Sequence, residues 1–200
     1  GSITFATPFA APPALLGQLQ TAANETAAVP GATSTPWLVP ALRNVTATGA
    51  QVALDRCEVA AGAVTSPESV AFLAVDAPAT VTLSADDGQP AILESLVTGD
   101  VLVGFTNSCV STPFASSFAA APLVLGHLNR RDGGDGGWLR RCSLTSAAVG
   151  LLVDEDQYRD SERSHASEAA GVLAASRSFR TTFGVAPPVV VSFSSATVPA

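Results

Sequence analysis

Apolar residues in this chain come in short runs, some alternating strictly with polar ones and some continuous, and most runs end in Pro, Gly, Asn, Ser or Thr. Such segments, so punctuated, read as strands joined by turns. TVTLSADDGQPAIL shows the signature most clearly: two alternating runs flank Asp86-Asp87-Gly88-Gln89, which predicts a hairpin. NVTATGAQVAL (44–54) predicts an alternating strand with a bend near Gly49, as a bulge or a turn. SERSHASEAAGVLAAS can be drawn as a helix, but its counterpart TSPESVAFLAVDA carries a Pro and β-branched residues. A polar loop entering a strand is therefore expected there.

One spacing recurs three times, a Phe, a second Phe four residues on and a Pro four further. The copies are Phe5-Phe9-Pro13, Phe114-Phe118-Pro122 and Phe179-Phe183-Pro187, followed by the apolar runs Leu15-Leu16, Leu123-Val124-Leu125 and Val189-Val190-Val191. A strand has period two, so both rings of each copy are expected on one face. The first two copies continue to match: Trp37-Leu38 with Trp138-Leu139, 44–54 with 143–153, and 67–74 with 167–174. Residues 75–110 stand as an insert without counterpart, and the third copy opens soon after the second repeat closes.

The expected fold is all-β, with two tandem antiparallel β-sandwich domains, 1–100 with the extra hairpin and 101–177. Residues 178–200 are then a C-terminal strand opening a partial third repeat. A lone strand opening leaves its backbone groups and its Phe and Val side chains without a receiving sheet. It can complete one of the chain's own sandwiches, begin a further domain in a longer precursor, or insert into the next subunit. The last option gives a head-to-tail contact that does not close on itself. Its assembly strand is Phe179, Phe183, Pro187, Val189, Val191 and Phe193.

Composition narrows the partners. With 47% hydrophobic and 14% charged residues the chain can bury a core. A net charge of −7 and a pI near 4.6 repel nucleic acid and anionic lipid. No apolar run approaches the ~20 residues of a membrane-spanning helix, so membrane insertion is not expected. All ten basic residues are Arg, and the chain begins Gly1-Ser2, which suggests a processed chain or an excised segment.

Cys57, Cys109 and Cys142 lack metal-site spacing and read as one disulfide plus a leftover thiol. Three buried free thiols in a reducing compartment stand as the competing reading. The sequons at Asn24 and Asn44, with Asn107-Ser108-Cys109 as a third, and the Ser/Thr/Pro stretch 33–36 favour an oxidising, extracellular or cell-surface location and covalent glycans.

Asp154, Asp156, Asp160, Glu162 and His165 form the densest polar cluster, with Glu155 and Glu168 beside them. Carboxylates and a His in a loop could hold Ca²⁺, although the EF-hand spacing and its Gly are missing. A solvated hairpin neutralised by Arg159 and Arg163 is the preferred reading, and no cofactor is expected. NRRDGGDGGW (129–138) lacks the Lys-Ser/Thr ending of a phosphate loop and reads as a surface connection. Arg130, Arg131, Arg140 and Arg141 form the one basic patch, which could meet an acidic glycan or an acidic neighbouring subunit. His127 and His165 lie in no nucleophile motif, so an enzyme is not expected.

The spaced Phe pair with its Pro and apolar run, Asn44-Val45-Thr46 with an alternating strand, and an acidic/His segment ending in Glu168 before a strand containing Leu173-Ala174 together resemble H-type-lectin-like repeats. Such repeats occur in tandem in large extracellular proteins, including surface filaments. The resemblance implies a six- or seven-stranded antiparallel sandwich. Family lectins bind N-acetylgalactosamine-type sugars at an oligomer interface, but no sugar-contacting position matches here residue by residue. The expectation is a structural subunit of an extracellular filament or surface assembly, polymerising with itself head-to-tail by strand donation, with a glycan-binding adhesion module as the alternative.

Overall fold

The computed structural model describes residues 1–24, 38–56, 64–134, 136–155, 157, 161–184 and 189–196. These residues form strands and no helix. In chain order they are β1 (Ser2–Thr4), β2 (Ala14–Leu19), β3 (Leu38–Arg43), β4 (Gly49–Arg56), β5 (Val70–Val75), β6 (Ala79–Ser84) and β7 (Pro90–Val97). There follow β8 (Val110–Pro113), β9 (Leu123–Leu128), β10 (Gly137–Leu144), β11 (Ala148–Glu155), β12 (Ala170–Ala175), β13 (Phe179–Phe183) and β14 (Val189–Phe193). Every strand pairing is antiparallel, in sheets of order β1-β4-β3, β2-β5, β10-β11-β8, β6-β7-β12-β9 and β13-β14.

The duplication read from the sequence is a duplication of pairing. β1, β4 and β3 pair as β8, β11 and β10 do. The β2–β5 ladder runs Ala14↔Val75 to Leu19↔Val70, and β9–β12 runs Leu123↔Ala175 to Leu128↔Ala170. In the first unit, Ile3, Leu42 and Ala50 of one sheet close over Leu15 and Ala74 of the other, with Phe5 and Phe9 at the rim. In the second, Val149, Leu151 and Val153 close over Val172, Ala174 and Leu96, with Phe114 and Phe118. The Phe pairs meet edge-to-face at 5.1 Å in both units.

Of the bend, bulge or turn expected near Gly49, the chain adopts a turn, residues 44–48 between β3 and β4. Thr46 is the cause: its Oγ1 accepts the N–H groups of Thr48 and Gly49, closing the chain locally in place of a ladder. Thr145 does the same for Ala147 and Ala148.

Three expectations change. Trp138 pairs with Asp154, whose counterpart Asp55 pairs with Val39, so the Trp138-Leu139 match is displaced in register; Trp37 lies outside the described residues. A bulge at Cys142 in β10, absent from β3, contributes to this shift. The insert does have a counterpart, because hairpin β6–β7 follows β5 as hairpin β13–β14 follows β12. The third Phe copy is therefore unlike the first two in conformation. Phe5 and Phe9 flank a turn whose amides reach Thr48 and Ala47, whereas Phe179 and Phe183 lie along β13, and Phe179 stacks on Phe193.

Candidate assembly site

The Asp86–Gln89 hairpin forms as predicted, with Gly88 at φ 77° in its turn. It does not stay within the first unit's own sheets. β7 pairs with β6 on one side and with β12 of the second unit on the other, Gly171↔Val97 through Ala175↔Leu93. Ile92 and Leu96 enter the second unit's core. Between them Glu94, 2% exposed, accepts the N–H of Ala115 at 2.7 Å and of Ser116 at 2.8 Å. One unit's hairpin thus completes the next unit's sheet.

β5 lacks such a neighbour. It pairs with β2 alone among the described strands, while β12, in matching register, pairs with β9 and β7. All six residues of β12 are buried and none of β5 is. Phe72 and Leu73 are 45% and 52% exposed. At the other end, hairpin β13–β14 seats Phe179 against Ala85, Ala91 and Ala175, and is fixed by the Thr181 Oγ1 bond to Ser84 O at 2.9 Å and by the Asp86 N–H bond to Arg180 O at 2.8 Å. Phe183, Val190 and Val191 are exposed.

The expected assembly strand is therefore no lone strand: β13 is paired to β14 within the chain, and its buried members, Phe179 and Thr181, hold it there. Pro187 lies outside the described residues, as does the side chain of Val189. Among the described strands β14 pairs with β13 alone.

Among its described residues the acidic cluster does not converge as a cation site. Alternation along β11 sends Asp154 and Glu155 to opposite faces. Asp154 takes both Nε and Nη2 of Arg163 at 2.8 and 2.6 Å, and Glu162 accepts from Ser164. Asp156 and Asp160 lie outside the described residues, among which no group of three or more His, Cys, Asp or Glu has metal-holding geometry. What does come together is His165 between two carboxylates. Nδ1 meets Glu155 Oε1, and Nε2 lies 3.1 Å from Glu168 Oε1, all three side chains being nearly inaccessible. Burial opposes the imidazolium, yet the hydrogen bonds to Glu168 and Glu155 raise its pKa above the ordinary value.

Glu168 also accepts the N–H groups of Asp132 and Gly133, and so fastens the loop after β9. Glu68 does the same work in the first unit, accepting from Thr21 Oγ1 and from the N–H groups of Ala23 and Asn24, which lower its pKa to about 2. The donor opposite each glutamate differs. Asn24 Nδ2 donates to Glu68 at 2.7 Å, where His165 Nε2 faces Glu168. Gly133 stands at Asn24's place, and a Cβ there would collide with the His165 ring. These carboxylates are structural clamps, and no sequence signal marks the loop amides they bind.

The clamp bears on glycosylation. Asn24 Nδ2 donates to both Ser66 O and Glu68, and its Oδ1 accepts from Thr65 and Ser66, so both amide hydrogens are committed. Asn44 is exposed on the β3–β4 turn, with one amide bond to Gln51 at 2.9 Å. Between Asn24 and Asn44, it is Asn44 that presents the accessible amide.

The basic patch is largely neutralised. Arg131 makes a two-point pair with Asp55 across the units at 2.8 and 3.1 Å, Arg130 meets Asp100 and Asp132, and Arg140 approaches Asp154 at 3.8 Å. Arg131 and Asp55 border a cavity of about 630 Å³ between β2–β3 and β9–β10. Cys109 and Cys142 are disulfide-bonded, and Cys57 lies outside the described residues.

Comparison with protein-family models, curated proteins and solved structures gave no match. The resemblance to H-type-lectin-like repeats rests on the quoted motifs alone.

Proposed function

We propose that this chain is a structural module of an extracellular filament or surface assembly, joined head-to-tail by strand addition. The hairpin β13–β14 of one copy lies against β5 of the next, repeating the joint that β6–β7 makes with β12. The contact is heterologous, so it extends the array without closing it.

One observation carries this reading: β5 and β12 share pairing register, yet β12 is wholly buried and β5 is not. An edge strand exposing Phe72 and Leu73, with no described strand along its outer side, is a template for another strand. The Cys109–Cys142 disulfide and the exposed Asn44 sequon support the oxidising compartment. No catalytic role is assigned to any residue.

The test is deletion of 178–200. Sedimentation and negative-stain imaging of the concentrated full chain should show end-to-end particles, and the deleted chain should remain folded but single. Arrays that persist after the deletion count against the reading.

A further inference from the structure

We propose that the open edge of β5 is built for a strand carrying a carboxylate flanked at two residues on either side by bulky aliphatic side chains, and that it prefers such a strand to this chain's own β14. The inference rests on the strand-addition reading and adds the chemistry of the preferred partner.

The internal joint defines what an occupied edge requires. Ile92 and Leu96 of β7 fill the second unit's core, and Glu94 between them accepts two consecutive amides, those of Ala115 and Ser116, in the bend between Phe114 and Phe118. The first unit has that bend too. Phe5 N–H to Thr48 O is 3.0 Å and Phe9 N–H to Ala47 O is 2.9 Å, matching Phe114 to Ala147 at 2.9 Å and Phe118 to Ser146 at 3.3 Å. Ala6 and Thr7 accordingly stand where Ala115 and Ser116 do. Both are exposed, and no described residue accepts their N–H groups. The same pair of amides that holds a carboxylate in the second unit has no acceptor among the described residues of the first, beside the β5 edge.

The chain's own donor fits this receptor poorly. Thr80↔Glu94 in one hairpin corresponds to Arg180↔Ser192 in the other, and Thr82↔Ile92 to Thr182↔Val190. A second copy therefore offers Val190, Ser192 and Ser194 where β7 offers Ile92, Glu94 and Leu96. A neutral, shorter hydroxyl replaces the charged acceptor, and a serine replaces the leucine that enters the core. The sequence pattern to expect in the preferred neighbour is aliphatic, any, Glu or Asp, any, aliphatic, at the end of a hairpin.

Three fluorescent peptides test this against the full chain: residues 89–98, the same peptide with Glu94→Gln, and residues 188–196. A carboxylate accepts amide hydrogen bonds more strongly than a neutral amide oxygen does, so the Gln peptide should bind about ten-fold more weakly than the Glu peptide, and the β14 peptide more weakly than the Glu peptide. Thr7→Pro removes one of the two amides and should bring the Glu peptide down toward the Gln peptide. The Gln peptide itself should bind as before. Leu73→Lys should abolish binding of all three, which distinguishes the β5 edge from exchange at β12. Equal affinity for Glu and Gln peptides overturns the carboxylate inference and leaves strand addition standing. Tighter binding of the β14 peptide makes a second copy the preferred occupant and likewise overturns it. Failure of every peptide to bind overturns both.

Discussion

Phe72 and Val172 occupy the same position in two strands of matching register, opposite Gly17 and Gly126, and Phe72 is 45% exposed where Val172 is 0% exposed. The neighbouring pair, Leu73 at 52% and Leu173 at 3%, makes the same contrast with one residue type. Identical substitutions therefore isolate what a flanking strand does. Leu173→Ala should cost about 2–5 kcal/mol in denaturant unfolding, the range for emptying a packed leucine site. Leu73→Ala should stay within about 1 kcal/mol for the isolated chain, since half of that side chain is already in water. The same substitution should weaken end-to-end association. Equal costs at the two sites would mean that β5 is as enclosed as β12.

Sequence spacing revealed the duplication because the turns and pairings that maintain it use local chemistry: Thr46 and Thr145 closing their turns, Gly88 turning the hairpin. It misread Phe5–Phe9 and Phe114–Phe118 as strand faces, since a Phe pair four apart suits both the two sides of a bend, as there, and one face of a strand, as at Phe179 and Phe183. Sequence also grouped Asp154 with His165, where strand alternation separates them and brings in Glu155. Glu68 and Glu168 were visible as matched residues, but their partners are loop amides, which every residue but proline possesses. The preference of the β5 edge is of the same kind: it lies in the N–H groups of Ala6 and Thr7, not in their side chains.

Cysteine pairing was left open by spacing, and the fold joins Cys109, just before β8, to Cys142 in the β10 bulge. The bridge closes a sequence separation of 33. Chain-entropy reasoning for a loop of that size gives about 3–4 kcal/mol. Reduction, or replacement of both residues by Ala, should lower the unfolding free energy by that order without altering the β2–β5 edge. Calorimetry with and without reductant reads the loss. An unchanged transition would show that the bridge does not constrain the unfolded chain.

Acid and base should loosen different units. Glu68 has its pKa lowered to about 2 from 4.5, so its contribution is complete above 4.5 and fades as pH falls toward about 2. The advantage of the wild type over Glu68→Gln in thermal unfolding should therefore shrink between about pH 5 and pH 2. His165 is shifted the other way, upward from 6.5, so its contribution is complete below 6.5 and is lost as pH rises through the raised value. The wild-type advantage over His165→Gln should shrink on the alkaline side. Parallel behaviour of the two variants across both ranges would refute the assignment of one clamp to each titration.

The two clamps also predict a specific exchange. In the first unit Asn24 reaches across to Glu68 and to the backbone at Thr65 and Ser66. In the second, Gly133 leaves room for His165, which reaches back to Glu168 from the opposite side. Gly133→Asn alone drives a side chain into the imidazole, an overpacking cost of about 1–3 kcal/mol. His165→Thr alone leaves buried Glu168 without its ring donor, a loss of about 1–3 kcal/mol. Together they rebuild the first unit's arrangement, Asn donating where His did, so the double variant should be more stable than the sum of the two losses. A double-mutant cycle by chemical denaturation should return a favourable coupling of about 0.5–3 kcal/mol. Strict additivity would show that Asn24 and His165 are not alternative donors to one carboxylate design, and that the likeness of the two loops ends at the backbone.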